Sequence, residues 1–366
     1  MKRLSHLACA AALAAAPAAA APRVVADIAP IHSLAAQVMG DLGAPSLLVR
    51  PGASPHGYAM KPSEAETLAE AEVVFWVGAA LTPWLDDALG TLGEDAVAVD
   101  LSAAPGVAAA PGGAAPELGP EGDDDHHGHK HGDYAEAEGY DHSRHHGDGG
   151  DEADGHGHGH EHGHGRGDEH AAADGDDHDE DRGRGDAHAH DHGDEDPHIW
   201  LDPRNAQAAA SSMAEALAEA DPENASAYRA NAAALRERLD ALEADLEAAI
   251  APIRGRPFAV LHDAYRHFEA RFGVRAAGAV ALSDAARPGP RRMEAVREAI
   301  RKAGVVCLFA EPQYPRRLAE AAIEGTDVRI GELDPLGAAV PLGPELYEAT
   351  MRGIAASLNE CLAAEG

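Results

Sequence analysis

The chain has 366 residues, 45% of them hydrophobic, and a formal net charge of −34 at pH 7. Between Glu121 and Asp196 lie 26 acidic and 5 basic residues, which carry −21 of that charge and leave −13, an ordinary acidic balance, for the rest. Phosphate backbones demand a basic patch, so nucleic acid is excluded as a partner.

In chain order the first element is a leader. Lys2 and Arg3 precede a short apolar run, Leu4–Leu13, and then small residues to Ala21, the pattern of a secretory signal peptide with cleavage expected near Ala20. The apolar run falls well short of the roughly 20 residues that span a bilayer. His6 interrupts the aliphatic stretch that a lipid-modified Cys9 would need. No later stretch is apolar enough to cross a membrane, so direct membrane insertion is not expected. About 345 residues would remain after cleavage, too many for one core, and two lobes are the expectation.

From Arg23 to about Leu101 short apolar runs alternate with helical patterns. Strands are expected at 24–28, 46–49, 73–77 and 97–99, with helices at 31–39, 63–71 and 83–89. That alternation predicts an α/β layer with a mainly parallel sheet. Residues 103–197 are a low-complexity insert, first rich in Ala, Pro and Gly and then almost entirely His, Asp, Glu and Gly. With next to no aliphatic side chains past Leu118, it cannot offset chain entropy and is expected to be disordered. A helix follows over 205–219. Asp221 and Pro222 read as a cap and first-turn proline, and Tyr228, Leu235, Leu239, Leu242, Leu246 and Ile250 then mark one apolar stripe. That stripe predicts a helix of about 40 Å, long enough to act as a rigid strut. From Pro257 the α/β alternation returns, with strands at 258–261, 276–279, 305–310 and 328–332 and helices at 265–272, 291–302, 316–324 and 345–364. The organisation is therefore a leader (1–20), an N-terminal α/β lobe (21–220) carrying the insert, a linker helix (221–256) and a C-terminal α/β lobe (257–366).

Once Cys9 leaves with the leader, Cys307 and Cys361 are the remaining cysteines, and a lone pair in an exported chain reads as a disulfide. Of the 23 histidines, 17 lie between His126 and His192, as in the alternating run His156, His158, His160, His162 and His164. Imidazoles with nearby carboxylates bind transition metals by composition alone, in weak and interchangeable sites. Outside the insert and leader five remain: His32, His56, His198, His262 and His267. His56 sits in a turn-rich loop after a strand, His198 where the insert re-enters the fold, and His262 directly after a strand. Asp334 follows another strand in the same way. Ligands at the carboxyl ends of strands face the crevice of an open α/β sheet, and three imidazoles with one carboxylate suit four-coordinate zinc. Metal-ligating imidazoles must be neutral, so affinity should collapse below about pH 6.5.

The runs P-I-H-S-L (30–34), G-A-S-P-H-G-Y (52–58), H-I-W-L-D-P (198–203), H-D-A-Y (262–265), F-A-E-P-Q (309–313) and L-D-P-L-G (333–337) resemble those of zinc-binding solute-binding proteins of ABC transporters. The resemblance covers essentially the whole chain after the leader. It implies a periplasmic, non-enzymatic protein with two α/β lobes joined by one long helix, working as a monomer and handing zinc to a membrane permease. It implies that His56, His198 and His262 ligate zinc, with Asp334 or water in the fourth position, and that Cys307 bonds Cys361. Manganese-binding relatives carry a carboxylate where His262 stands, so the resemblance is to the zinc branch. Glu311 is a candidate substitute or supporting ligand, and Asp263 a candidate for orienting a ligand ring. His32 and His267 read as packing or capping residues. Two rival classes, an extracellular zinc hydrolase and a metal buffer without a transporter, meet the absence of an H-E-x-x-H run and the elaborate two-lobe body respectively.

Overall fold

Two four-stranded parallel sheets organise the computed structural model, which describes residues 21–110, 116–118, 196–281 and 289–363. The leader, and the histidines of the insert from His126 to His192, lie outside the described residues. The first sheet contains β1 (Val24–Ala26), β2 (Ser46–Leu47), β3 (Val73–Trp76) and β4 (Val97–Asp100), in the order β2-β1-β3-β4. The second repeats that order with β5 (Phe258–His262), β6 (Ala276–Ala281), β7 (Cys307–Ala310) and β8 (Arg329–Glu332), arranged β6-β5-β7-β8. The strands are apolar runs because helices cover both faces of a parallel sheet. Accordingly the central strands β1, β3, β5 and β7 are buried throughout, while the edge strands β4 and β8 are partly exposed.

The connecting helices are α1 (Ala29–Met39), α2 (Pro62–Ala69) and α3 (Pro83–Leu89) in the first lobe, and α6 (Arg266–Phe272), α7 (Pro290–Lys302), α8 (Arg317–Ile323) and α9 (Leu346–Ala363) in the second. Between the lobes α4 (Pro203–Ala220) folds back on α5 (Ala225–Ile250). At about 1.5 Å per residue the 26 residues of α5 span about 39 Å. Its apolar stripe is the predicted one, with Tyr228, Leu235, Leu239, Leu242 and Ile250 fully buried. Asp221 and Pro222 are the N-cap and first-turn proline expected, but of a separate 3-10 turn, Pro222–Asn224, ahead of α5; the Asp221 carboxylate accepts from Asn224 Nδ2 (2.7 Å) and the Tyr228 hydroxyl (2.9 Å).

Each lobe keeps a small apolar cluster of its own, Val25, Leu48, Val74 and Leu85 in the first and Ala259, Leu261, Val296 and Leu308 in the second, and a larger shared core joins them. One apolar cluster takes in Val24 and Phe75 of the first sheet, Ile31, Leu34 and Val38 of α1, the α5 stripe, Phe258 and Phe309 of the second sheet, and Met351, Ile354 and Leu358 of α9. Polar contacts reinforce the junction. Ser33 Oγ donates to the Pro344 carbonyl (2.8 Å) and accepts from the Tyr347 amide (3.0 Å), and Tyr347 OH donates to the Trp200 carbonyl (2.8 Å). The Cys307–Cys361 disulfide is present and ties β7 to α9.

The opening of the low-complexity insert belongs to the folded body, which corrects the expectation of disorder from residue 103 onward. Ala104 is buried, and Ala108 exchanges two hydrogen bonds with the Asn205 side chain (2.9 and 3.0 Å). Pro116–Leu118 then pairs with the open edge of β6 through Leu118 N to Ala279 O (2.8 Å) and Ala279 N to Pro116 O (3.0 Å). Leu118 is 4% exposed, seated among Val280, Met293 and Val296, and Glu117 forms an ion pair with Arg292. The strap fits because Gly278 lacks a side chain: a Cβ there would lie 2.5 Å from the Pro116 carbonyl oxygen. Leu118, the one large aliphatic side chain of this Ala/Pro/Gly-rich strap, adds roughly 1.5–3 kcal/mol by its burial to those hydrogen bonds and the ion pair.

Candidate metal centre

In a sheet ordered 2-1-3-4 the chain turns to opposite sides after the first and third strands, and a crevice opens at their carboxyl ends. In the second lobe these ends carry His262, the last residue of β5, and Glu311, directly after β7. His56 reaches the same place on the loop between β2 and α2. That loop is fixed by local chemistry: Trp84 Nε1 donates to the Pro55 carbonyl (2.7 Å), and Tyr58 OH donates to Glu64 at the start of α2 (2.8 Å). His198 stands at the head of a 3-10 turn, Ile199–Leu201, whose Trp200 Nε1 donates to the Pro335 carbonyl of the second lobe (2.8 Å).

The three rings converge. His56–His198, His56–His262 and His198–His262 centroids are 5.3, 5.2 and 5.0 Å apart, and one nitrogen from each lies within 4.8 Å of the other two. His198 and His262 are buried, at 3% and 6% exposure. The cavity between them, lined also by Trp200, Glu311, Tyr314 and Leu336, is about 10 Å³. That is room for about one water-sized particle, the scale of a single ion.

Asp196 governs His198. Its Oδ1 lies 2.6 Å from His198 Nδ1 and accepts the His198 amide at 3.0 Å. Burial raises the Asp196 carboxyl, but the charge and hydrogen bond of His198, with His267 adding to them, outweigh that and hold it below its ordinary value. A carboxylate oxygen accepts, so in the neutral ring this contact places the hydrogen on Nδ1 and leaves the Nε2 lone pair for a ligand. Beside His262, Glu311 is 4% exposed with Oε2 3.6 Å from Nδ1. Burial and then the Glu311 carboxylate, by charge and hydrogen bond, push the Tyr265 phenol well above its ordinary range.

The remaining nominated residues sit as follows. Asp334 does not line the cavity; its carboxylate accepts from the amides of Leu336 (3.2 Å) and Ala339 (3.3 Å) and so shapes the loop bearing Pro335 and Leu336. Asp263 is 8% exposed with Oδ2 3.5 Å from Arg266 Nε. His32 hydrogen-bonds the Pro45 carbonyl through Nε2 (3.0 Å), and burial lowers its ring pKa. His267 is held by Asn205 (3.3 Å) and the Asp196 carbonyl (3.0 Å). The sequence reading passed over Asp196 because it stands last among 26 acids; its D-x-H spacing to His198 was the available signal.

Two parallel α/β lobes around an ion-sized, imidazole-lined cleft are the arrangement of a two-lobed solute-binding protein. The chain belongs to the family of the periplasmic zinc-uptake complex component A (ZnuA), whose model matches residues 24–361. This is a family of transport proteins rather than enzymes. High-affinity zinc uptake system proteins ZnuA of Brucella abortus and Paracoccus denitrificans are 41% and 43% identical to it. The first match covers 93% of this chain and 91% of the relative, the second the whole of both. Among solved structures, the periplasmic zinc-binding protein TroA of Treponema pallidum superposes with a TM-score of 0.65 at 17% identity, covering 94% of this chain and all of that one. A zinc-bound ZnuA with residues 138–173 deleted gives a TM-score of 0.62 at 20% identity, covering 94% of this chain and all of the other. Both show the same fold.

Proposed function

We propose that the chain captures one zinc ion in the periplasm, through His56, His198 and His262, and delivers it to the permease of an ABC importer. The observation that carries this reading is the convergence of three imidazoles from separate stretches of sequence to within 4.8 Å, two of them buried. A third nitrogen at His262 favours zinc over manganese, which prefers oxygen donors. For the fourth position this reading favours Glu311, which lines the cavity, over Asp334, which is engaged by its own loop, with water as the alternative. The zinc uptake role of the 41–43% identical relatives supports the same cargo. The reading is completed by export with cleavage near Ala20, a monomeric chain, and a His-rich insert (His156, His158, His160, His162, His164 and their neighbours) that collects metal weakly.

The test is a chelator-competition titration of the chain lacking Glu121–His192, which leaves the folded stem intact. One tight zinc per chain is expected, abolished in H198A and H262A and weakened more by E311Q than by D334N. Absence of any tight zinc in the shortened chain would overturn the assignment. Capture of the loaded protein by its own permease in vesicles, and no capture of the zinc-free form, is the expected result for delivery.

A further inference from the structure

Asp196 closes the acidic insert and at the same time touches the central cluster. Its side chain is fully buried, with Oδ1 on His198 Nδ1 at 2.6 Å and Oδ2 3.7 Å from Arg266 Nε. Its backbone carbonyl accepts from His267 Nε2 (3.0 Å), and His267 Nδ1 accepts from Asn205 Nδ2 (3.3 Å). The same Asn205 side chain holds both backbone groups of Ala108, where the chain departs toward the insert (2.9 and 3.0 Å). His267 and Asn205 therefore clasp the outgoing and returning stems of the insert together, and the returning stem ends on His198. His267 is 2% and Asn205 1% exposed, so the clasp is sheltered from competing water.

We propose that Asp196 is the positioning residue of His198, fixing its Nε2 toward the cleft, and that the Asn205–His267 clasp holds Asp196 in place. This rests on the reading of His198 as a zinc ligand. A histidine free to rotate about its side-chain bonds must surrender that freedom when an ion binds, whereas a ring already fixed by a carboxylate does not. Partners of this kind are worth about 10–100-fold in metal affinity. The insert is accordingly not a detachable appendage: its last acidic residue sets the geometry of the tight site, and a deletion that takes Asp196 damages that site as well as removing the histidines.

The experiment compares wild type, D196A, D196N, H267A and H198A as full chains, measuring zinc affinity by chelator competition, the visible spectrum of the cobalt(II) form, and the melting temperature without metal. The expected result is a 10–100-fold loss in D196A with an altered cobalt spectrum. D196N, which keeps an oxygen acceptor for Nδ1, should lose less, and H267A should resemble a mild D196A. An unchanged affinity in D196A overturns the proposal. So does a loss that merely follows a lowered metal-free melting temperature while the cobalt spectrum keeps its wild-type shape. H198A separates the two readings: tight zinc retained in H198A refutes the ligand assignment itself, whereas tight zinc lost in H198A and kept in D196A refutes only the positioning role.

Discussion

Asp27 offers a test of how burial acts in this fold. It directly follows β1 and is 0% exposed. Oδ1 accepts the Ile28 amide (2.7 Å) and Oδ2 the Val77 amide (2.8 Å). Desolvation nonetheless outweighs those two donors, with Asp100 adding repulsion, and lifts its pKa from 3.8 to about 7. Between those values the unfolded chain has released the proton and the folded chain keeps it, so raising the pH favours unfolding. The stabilisation is complete below the unfolded value and disappears as pH rises through about 7. Three units at about 1.4 kcal/mol each give a loss of about 4 kcal/mol, with a slope of about 1.4 kcal/mol per pH unit inside the window. Carboxyls held low, such as Asp196 and Asp221, act below that window instead. D27N keeps the shape and removes the titration, although its amide faces one of the two donors. Urea unfolding with chelator present, at several values from about pH 4.5 to 7.5, should show wild type losing about 3 kcal/mol relative to D27N. A wild-type-minus-variant difference that stays flat across that range would refute the desolvation argument.

Other expectations concern the junctions of the fold. Replacing Cys307 and Cys361 by serine opens a 54-residue loop and should lower unfolding free energy by about 4 kcal/mol in the loop-entropy model, read from denaturant midpoints; a change under about 1 kcal/mol would contradict it. G278A should expel the Pro116–Leu118 strap and cost about 2 kcal/mol, seen as faster hydrogen exchange at the Leu118 and Ala279 amides; unchanged exchange there would show that the strap does not need the bare glycine. L239A, at a fully buried position of the shared core, should cost about 2–5 kcal/mol and leave one calorimetric transition. Two separated transitions would show that the lobes unfold independently.

Much of the architecture was legible because period and punctuation agreed. The α5 stripe came through with the same residues, and Pro83–Leu89 formed with the predicted ends. Strand ends were read one or two residues long at Val24, Ser46 and Val73, since apolar runs continue into buried loops beyond the last ladder bond. The convergence of His56, His198 and His262 was legible from their motifs and from placement together: His262 ends a strand, His56 lies in a loop after one, and His198 stands where the insert re-enters the fold. What escaped was long-range pairing: a composition rule sees Pro116–Leu118 as linker, and only the bare edge of β6 makes it a strand partner. Asp334 was read as a ligand from its place after a strand, and Asp263 as a partner from its place beside His262; neither signal carries side-chain direction. Asp334 turns back on its own amides, and Asp263 extends to Arg266.

A body in which both halves are welded through α1, α5 and α9 has little freedom to adjust its grip. Under the function proposed above, such a body sets the spacing of the three imidazoles before any cargo arrives, and the preset nitrogen geometry then selects against ions that prefer oxygen donors.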